Sequence, residues 1–124
     1  MTILWIALGG ALGSVLRYAI GGAVQKFSAR GFPVGTMAVN VIGCLIVGIL
    51  LQRLLNTQAH PAARAFMVVG FCGGFTTFST FSAETVGLML GGEMGRATIY
   101  VVLSVTLCLL ATWAGMNAAR VLIR

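Results

Sequence analysis

Nine polar side chains interrupt the apolar stretches of this sequence: Arg17, Asn40, Thr77, Ser79, Thr80, Ser82, Glu84, Ser104 and Thr106. A charged group at the centre of a bilayer costs ~2.5–3.5 kcal/mol even on a lenient insertion scale, so these groups should face protein or water. Asn40 has two amide donors, which suit an interhelical hydrogen bond or a bound anion. Arg17 lies near a helix end, where it either snorkels to lipid headgroups or draws anions to a vestibule. Thr80 and Glu84 are i, i+4 neighbours on one helical face with Thr77 close by, and Phe78 and Phe81 are i, i+3 neighbours. A phenylalanine ring is negative on its face and positive at its edge. Ring edges combined with hydroxyl and amide donors could solvate a small anion without trapping it, which is what conduction requires. Ordinary packing also explains the Phe/Thr pattern, and spacing alone slightly favours it. Glu84 is harder to read as packing, because a buried carboxylate needs a partner or a proton.

Enzyme chemistry finds no foothold. The single histidine, His60, lies in a loop with no carboxylate or cysteine beside it. Cys44, Cys72 and Cys108 sit singly in three different apolar stretches, with no C-x-x-C pattern, and read as small packing residues. The run Gly9-Gly10-Ala11-Leu12-Gly13 lacks the strand that a nucleotide-binding loop follows, and Gly73-Gly74 is followed by no Gly-Lys-Ser/Thr.

The elements that must position these groups are membrane helices. Of the 124 residues, 59% are hydrophobic and 8% charged, and the mean hydropathy is +1.02. A soluble domain carries about a quarter charged residues. The net charge of +6 is spread singly at the ends of apolar runs, a pattern for headgroups and not for nucleic acid. Residues 1–124 read as a single all-α transmembrane domain with helices over approximately 2–24, 34–55, 63–90 and 97–122. The first residues lack the positive region of a secretory signal and read as the start of a membrane helix. Asn56 to Pro61 is the clearest loop, with Pro61 suited to open the third helix. That third helix contains Gly70-Phe71-Cys72-Gly73-Gly74-Phe75-Thr76-Thr77-Phe78-Ser79-Thr80-Phe81-Ser82, poor material for a plain lipid-facing helix. A break at 73–76 is expected. Irregular backbone at membrane depth survives only under a cover of protein or water, where its freed carbonyls are ready ion ligands.

Small residues recur at helical spacing in Gly9/Gly13/Gly21, in Cys44/Gly48 after Asn40, and in Ala111/Gly115/Ala119, which predicts close helix contacts. Four spans put Arg53, Arg64, Arg120 and Arg124 on one side. Lys26, Arg30 and Arg96 fall on the other, with Arg17 near its end of the first helix. Loop Arg/Lys excess normally sets orientation, and here it nearly vanishes. Insertion both ways, giving an antiparallel homodimer, is therefore expected.

With these residues in view, the sequence resembles the CrcB/Fluc family of fluoride channels over nearly its whole length. The likeness runs from Gly9 to Tyr18, through Pro33-Val34-Gly35-Thr36 and Asn40-Val41-Ile42-Gly43, and is most specific from Gly70 to Glu84. The resemblance implies a dual-topology antiparallel homodimer in the inner cell membrane, with two pores passively exporting fluoride. It also implies a structural Na⁺ at the dimer centre, held by the backbone carbonyls of Gly73 and Thr76. Phe78 and Phe81 would line the pore with Asn40 beside them, and Thr77, Ser79, Thr80 and Ser104 would be hydroxyls along the path. Glu84, Arg17 and Tyr100 match family positions near the pore. Cys44 stands where another small residue is expected. The main rival is a small multidrug-resistance-like proton-coupled exporter, which needs a buried carboxylate in its first helix; here that helix carries Arg17. A structural subunit of a larger membrane complex would explain the small-residue stripes but not the Gly-Gly run and its Phe/Thr register.

Overall fold

A computed structural model describes residues 1–56 and 59–122; Thr57 and Gln58 of the expected loop, and Arg124 of the charge count, lie outside it. The described residues form helices and connections with no strand. Four stretches are long and apolar enough to cross a membrane: Thr2–Gln25, Val34–Leu54, Pro61–Leu90 and Met94–Leu122. Helix α1 is Thr2–Gln25 and α2 is Val34–Asn56. The third span is composite. It begins with α3, Pro61–Arg64, continues as a π-helical stretch, Ala65–Cys72, then α4, Gly73–Phe75, and α5, Phe78–Leu90. Helix α6 is Met94–Leu122.

Local chemistry explains the ends. Pro61 occupies the first turn of α3, where its missing N–H costs nothing, and His60 Nδ1 accepts from the Ala62 N–H at 3.3 Å. The chain leaves α5 through Gly92, whose φ of 77° is left-handed. There the Glu93 N–H reaches back to the Leu88 carbonyl at 2.9 Å, so glycine is needed to turn the chain. Between α1 and α2, Arg30 holds a left-handed φ of 55° in the turn Ala29–Gly31. Its carbonyl accepts from Arg96 Nη2 at 2.8 Å. Arg96 also pairs with Glu93 and lies 5.7 Å from the Phe32 ring centroid. The start of α6 thus clamps the α1–α2 connection. Gln25 does the same from α1, accepting from the Gly35 N–H at 2.9 Å and donating to the Phe32 carbonyl at 3.0 Å.

Packing follows the small-residue stripes. Helix α1 lies along the third span and α2 along α6, with α1 and α2 joining the pairs. A Cβ added at Gly70 would sit 2.6 Å from the Ile6 carbonyl oxygen, and one at Gly74 would sit 2.5 Å from that of Gly10. A Cβ at Gly48 would collide with the Thr112 carbonyl, and one at Gly115 with that of Leu45. Backbone meets backbone at all four places, so dispersion does the work that water would otherwise do. Within the most apolar window of each span, 11% to 22% of residues are buried in the protomer. The outer faces are left for lipid or another chain.

Candidate functional site

The centre of the site is the stretch that joins α4 to α5. Thr76 (φ −90°, ψ 159°) and Thr77 (φ −151°, ψ 112°) are extended, whereas Gly73 and Gly74 carry helical backbone. The glycine pair is thus helical itself, and the extended residues begin two positions beyond Gly74. Gly74 serves close approach to α1. An uninterrupted helix would pass the N–H groups of Thr77 and Phe78 to the carbonyls of Gly73 and Gly74. Instead the Thr77 N–H donates to Asn40 Oδ1 at 2.7 Å, while Asn40 Nδ2 donates to the Thr77 carbonyl at 3.1 Å. The Gly74 carbonyl accepts from Arg17 Nε at 3.0 Å. The carboxamide therefore takes over the Thr77 N–H that the helix would have used, and the Gly73 oxygen is released from its helical donor. The Thr76 N–H and hydroxyl both donate to the Cys72 carbonyl, at 3.0 and 2.9 Å.

Helix α5 restarts with a side-chain cap. Thr77 Oγ1 accepts from the Thr80 N–H at 3.1 Å and donates to Thr80 Oγ1 at 2.9 Å; such a cap contributes ~1 kcal/mol. Ser79 Oγ lies 3.3 Å from the same hydroxyl. The Phe78 and Phe81 rings are 5.4 Å apart at 45°, and Phe81 is 5.1 Å from Tyr100 at 52°. Phe81 and Tyr100 are buried, while Phe78 is 78% exposed on the protomer surface.

Two cavities flank Thr77. The larger, about 470 Å³, runs between α2, the third span and α6; its wall includes Asn40, Gly73, Thr76, Phe78, Phe81, Ser104 and all three cysteines. Ser104 Oγ is buried there with no hydrogen-bond partner among the described residues. The smaller, about 300 Å³, is lined by Arg17, Tyr18, Thr36, Thr80 and Glu84. Glu84 is satisfied at both oxygens: Thr36 Oγ1 donates at 2.8 Å and the Tyr100 hydroxyl at 2.7 Å.

Of the residues singled out in the sequence, Asn40, Gly73, Thr76, Thr77, Phe78, Phe81 and Ser104 converge on the first cavity, and Arg17, Thr80 and Glu84 on the second, with Thr77 in both walls. Tyr100 stands behind Glu84 and Phe81. Ser79 is exposed and outside both walls, Ser82 turns back to the Phe78 carbonyl, and Thr106 is exposed on α6. Sequence reading passed over Thr36 as a site residue, although it lies one helical turn before Asn40 and so shares its face. Among the described residues no three His, Cys, Asp or Glu side chains converge as a metal site.

A family model described as "CrcB-like protein, Camphor Resistance (CrcB)" matches residues 4–116. A Geobacter sulfurreducens protein named "Fluoride-specific ion channel FluC" is 49% identical over 120 residues, covering 96% of this chain and 97% of its own length. Proteins of the same name from Geobacter metallireducens and Thermus thermophilus are 46% and 44% identical. The first alignment covers 97% of this chain and 98% of the relative, the second 97% and 94%.

Proposed function

The chain belongs to the CrcB family, and from that premise we propose that it forms a fluoride-selective channel, passively releasing fluoride across the inner cell membrane. It is a multi-pass membrane protein of a channel family and not an enzyme. That membership displaces the proton-coupled exporter reading; Glu84 lies on the third span, hydrogen-bonded to Thr36 and Tyr100 on spans two and four.

The observation that carries the mechanism is the Ser104 hydroxyl, buried without a hydrogen-bond partner in a wall shared with Asn40, Phe78 and Phe81. A buried hydroxyl gains from an acceptor, and a desolvated halide in this groove would be one. Fluoride is small and strongly hydrated. To shed water it needs donors that replace its shell without a full charge that would hold it. The Ser104 hydroxyl and the positive rims of Phe78 and Phe81 supply them. Arg17, at the wall of the second cavity, raises the local potential for an arriving anion, while Thr36, Thr80 and Glu84 form a polar surface beyond Thr77.

The active unit in this proposal is an antiparallel homodimer with two pores, lipid covering the rest. Phe78 supports it: a ring 78% exposed beside the groove is placed to complete a wall with a second copy. A structural Na⁺ would sit where two such copies meet, held by the carbonyls of Gly73 and Thr76. Their chemistry fits: both residues line the groove, the Gly73 oxygen has lost its helical donor to Asn40, and neutral oxygens suit a hard monovalent cation. When bound, that ion would supply a fixed positive charge beside the anion path.

Purified protein in liposomes is expected to release trapped fluoride while retaining chloride. Flux of neither anion, or equal flux of both, would overturn the assignment.

A further inference from the structure

Arg96, at the start of α6, grips the α1–α2 connection at two points. Arg30 and Gly31 of that connection are left-handed in succession, with φ of 55° and 70°, and for arginine such backbone is unfavourable. A turn of this kind persists only where its surroundings hold it. Arg96 supplies the hold by donating to the Arg30 carbonyl at 2.8 Å while pairing with Glu93. Its guanidinium also stands 5.7 Å from the Phe32 ring centroid, within reach of a cation–π contact. Phe32 in turn meets Tyr100 edge-on, with centroids 5.6 Å apart at 81°. Tyr100 is fully buried, and its hydroxyl donates to Glu84 Oε2 at 2.7 Å. A continuous chain of contacts therefore runs from a partly exposed ion pair to a carboxylate in the wall of the second cavity.

We propose that Phe32 and Arg96 are positioning residues for anion passage: Arg96 seats the Phe32 ring, and the ring holds Tyr100 where its hydroxyl stays on Glu84. Neither residue lines the first or the second cavity, so both act through Tyr100. Hydrogen bonds weaken steeply as they bend, while ring-to-ring contacts accept a range of angles. Without the Phe32 edge, the hydroxyl–carboxylate bond is therefore lost before the packing is. A Glu84 oxygen stripped of that donor turns more of its negative charge on the cavity that Arg17 makes attractive to anions, and slows their passage. The effect on flux rests on the fluoride-channel reading.

Fluoride efflux from liposomes and melting in detergent, read on the same preparations, test this. Phe32→Leu and Arg96→Met should each slow efflux at least about threefold while the melting temperature is kept. Arg96→Lys, which keeps a cation over the ring, should recover most of the rate. Tyr100→Phe keeps the ring, removes the hydroxyl and should slow efflux by itself. Adding Phe32→Leu to it should slow efflux no further, because residues that act through one contact are not additive. A double-variant loss equal to the product of the two single losses would overturn the proposal. So would unslowed efflux in both Phe32→Leu and Arg96→Met, a rate in Arg96→Lys as low as in Arg96→Met, or slowing that only tracks loss of folded protein. An unsubstituted chain that passes no fluoride would instead overturn the channel reading.

Discussion

Ser104 and Phe78 allow packing and conduction to be told apart at single residues. Removing an unpaired buried hydroxyl relieves a desolvation cost, so Ser104→Ala should leave thermal stability unchanged or slightly raised. On the proposed mechanism its fluoride efflux should nevertheless fall, because a donor to the ion is gone. Phe78 is exposed in the protomer, so Phe78→Ile should also keep the fold and the dimer while slowing efflux. Phe81→Ile should do the same at a greater cost in stability, since its ring packs on Tyr100. Unchanged efflux in all three would remove these groups from the mechanism. Asn40 is the opposite case. Its carboxamide bonds both the N–H and the carbonyl of Thr77, and Asn40→Ala should lower stability by about 1–3 kcal/mol as well as reduce flux. Asn40→Asp keeps an acceptor for the N–H but sets a carboxylate against the Thr77 carbonyl, and should do no better. Paired melting and efflux assays would decide both.

At the scale of elements, glycines that admit backbone contact are distinguished from glycines with room. Gly48→Ala would drive a methyl into the Thr112 carbonyl, which cannot swing away as a side chain can. The helices must separate, at about 1–3 kcal/mol, and the melting temperature in detergent should drop. Gly22 has nothing within 4 Å of an added Cβ, so Gly22→Ala should be neutral or stabilising by up to ~1 kcal/mol, the helix-propensity difference. Equal effects would refute the close-approach reading of the stripe. The stripes themselves were legible in the sequence because a helix repeats every 3.6 residues. Which stripe meets which was not, since Gly9 and Gly48 sit in similar patterns yet face the third span and α6 respectively.

For the whole molecule the orientation signal is its near-absence. Among described residues, Lys26, Arg30 and Arg96 lie toward one membrane face and Arg53, Arg64 and Arg120 toward the other, with Arg17 partly within its span. With no excess to fix the direction of insertion, both orientations should be populated. A cysteine placed at Ser28 in a cysteine-free chain should react from outside intact vesicles in about half of the molecules. Complete labelling or none would exclude an antiparallel dimer. The outward-facing apolar residues of all four spans, and Phe78 among them, are what such a dimer and its lipid would cover.

The sequence alone determined the class of the protein: length and hydropathy require four membrane spans, and polar groups fall within them. It also carried the family, through the run from Gly70 to Glu84, and it singled out Asn40, Phe78, Phe81 and Ser104, which the fold gathers on one cavity wall. Those properties are local or periodic, so spacing along the chain exposes them. Only the tertiary structure decided that the extended backbone lies at Thr76 and Thr77 beyond the glycine pair. It alone showed that Asn40 accepts the N–H freed at Thr77 and that Thr36 and Tyr100 share Glu84. Each of these joins residues 16 to 48 positions apart. Such pairings depend on the rotation and offset of one helix against another, and no pattern within a single helix contains that information.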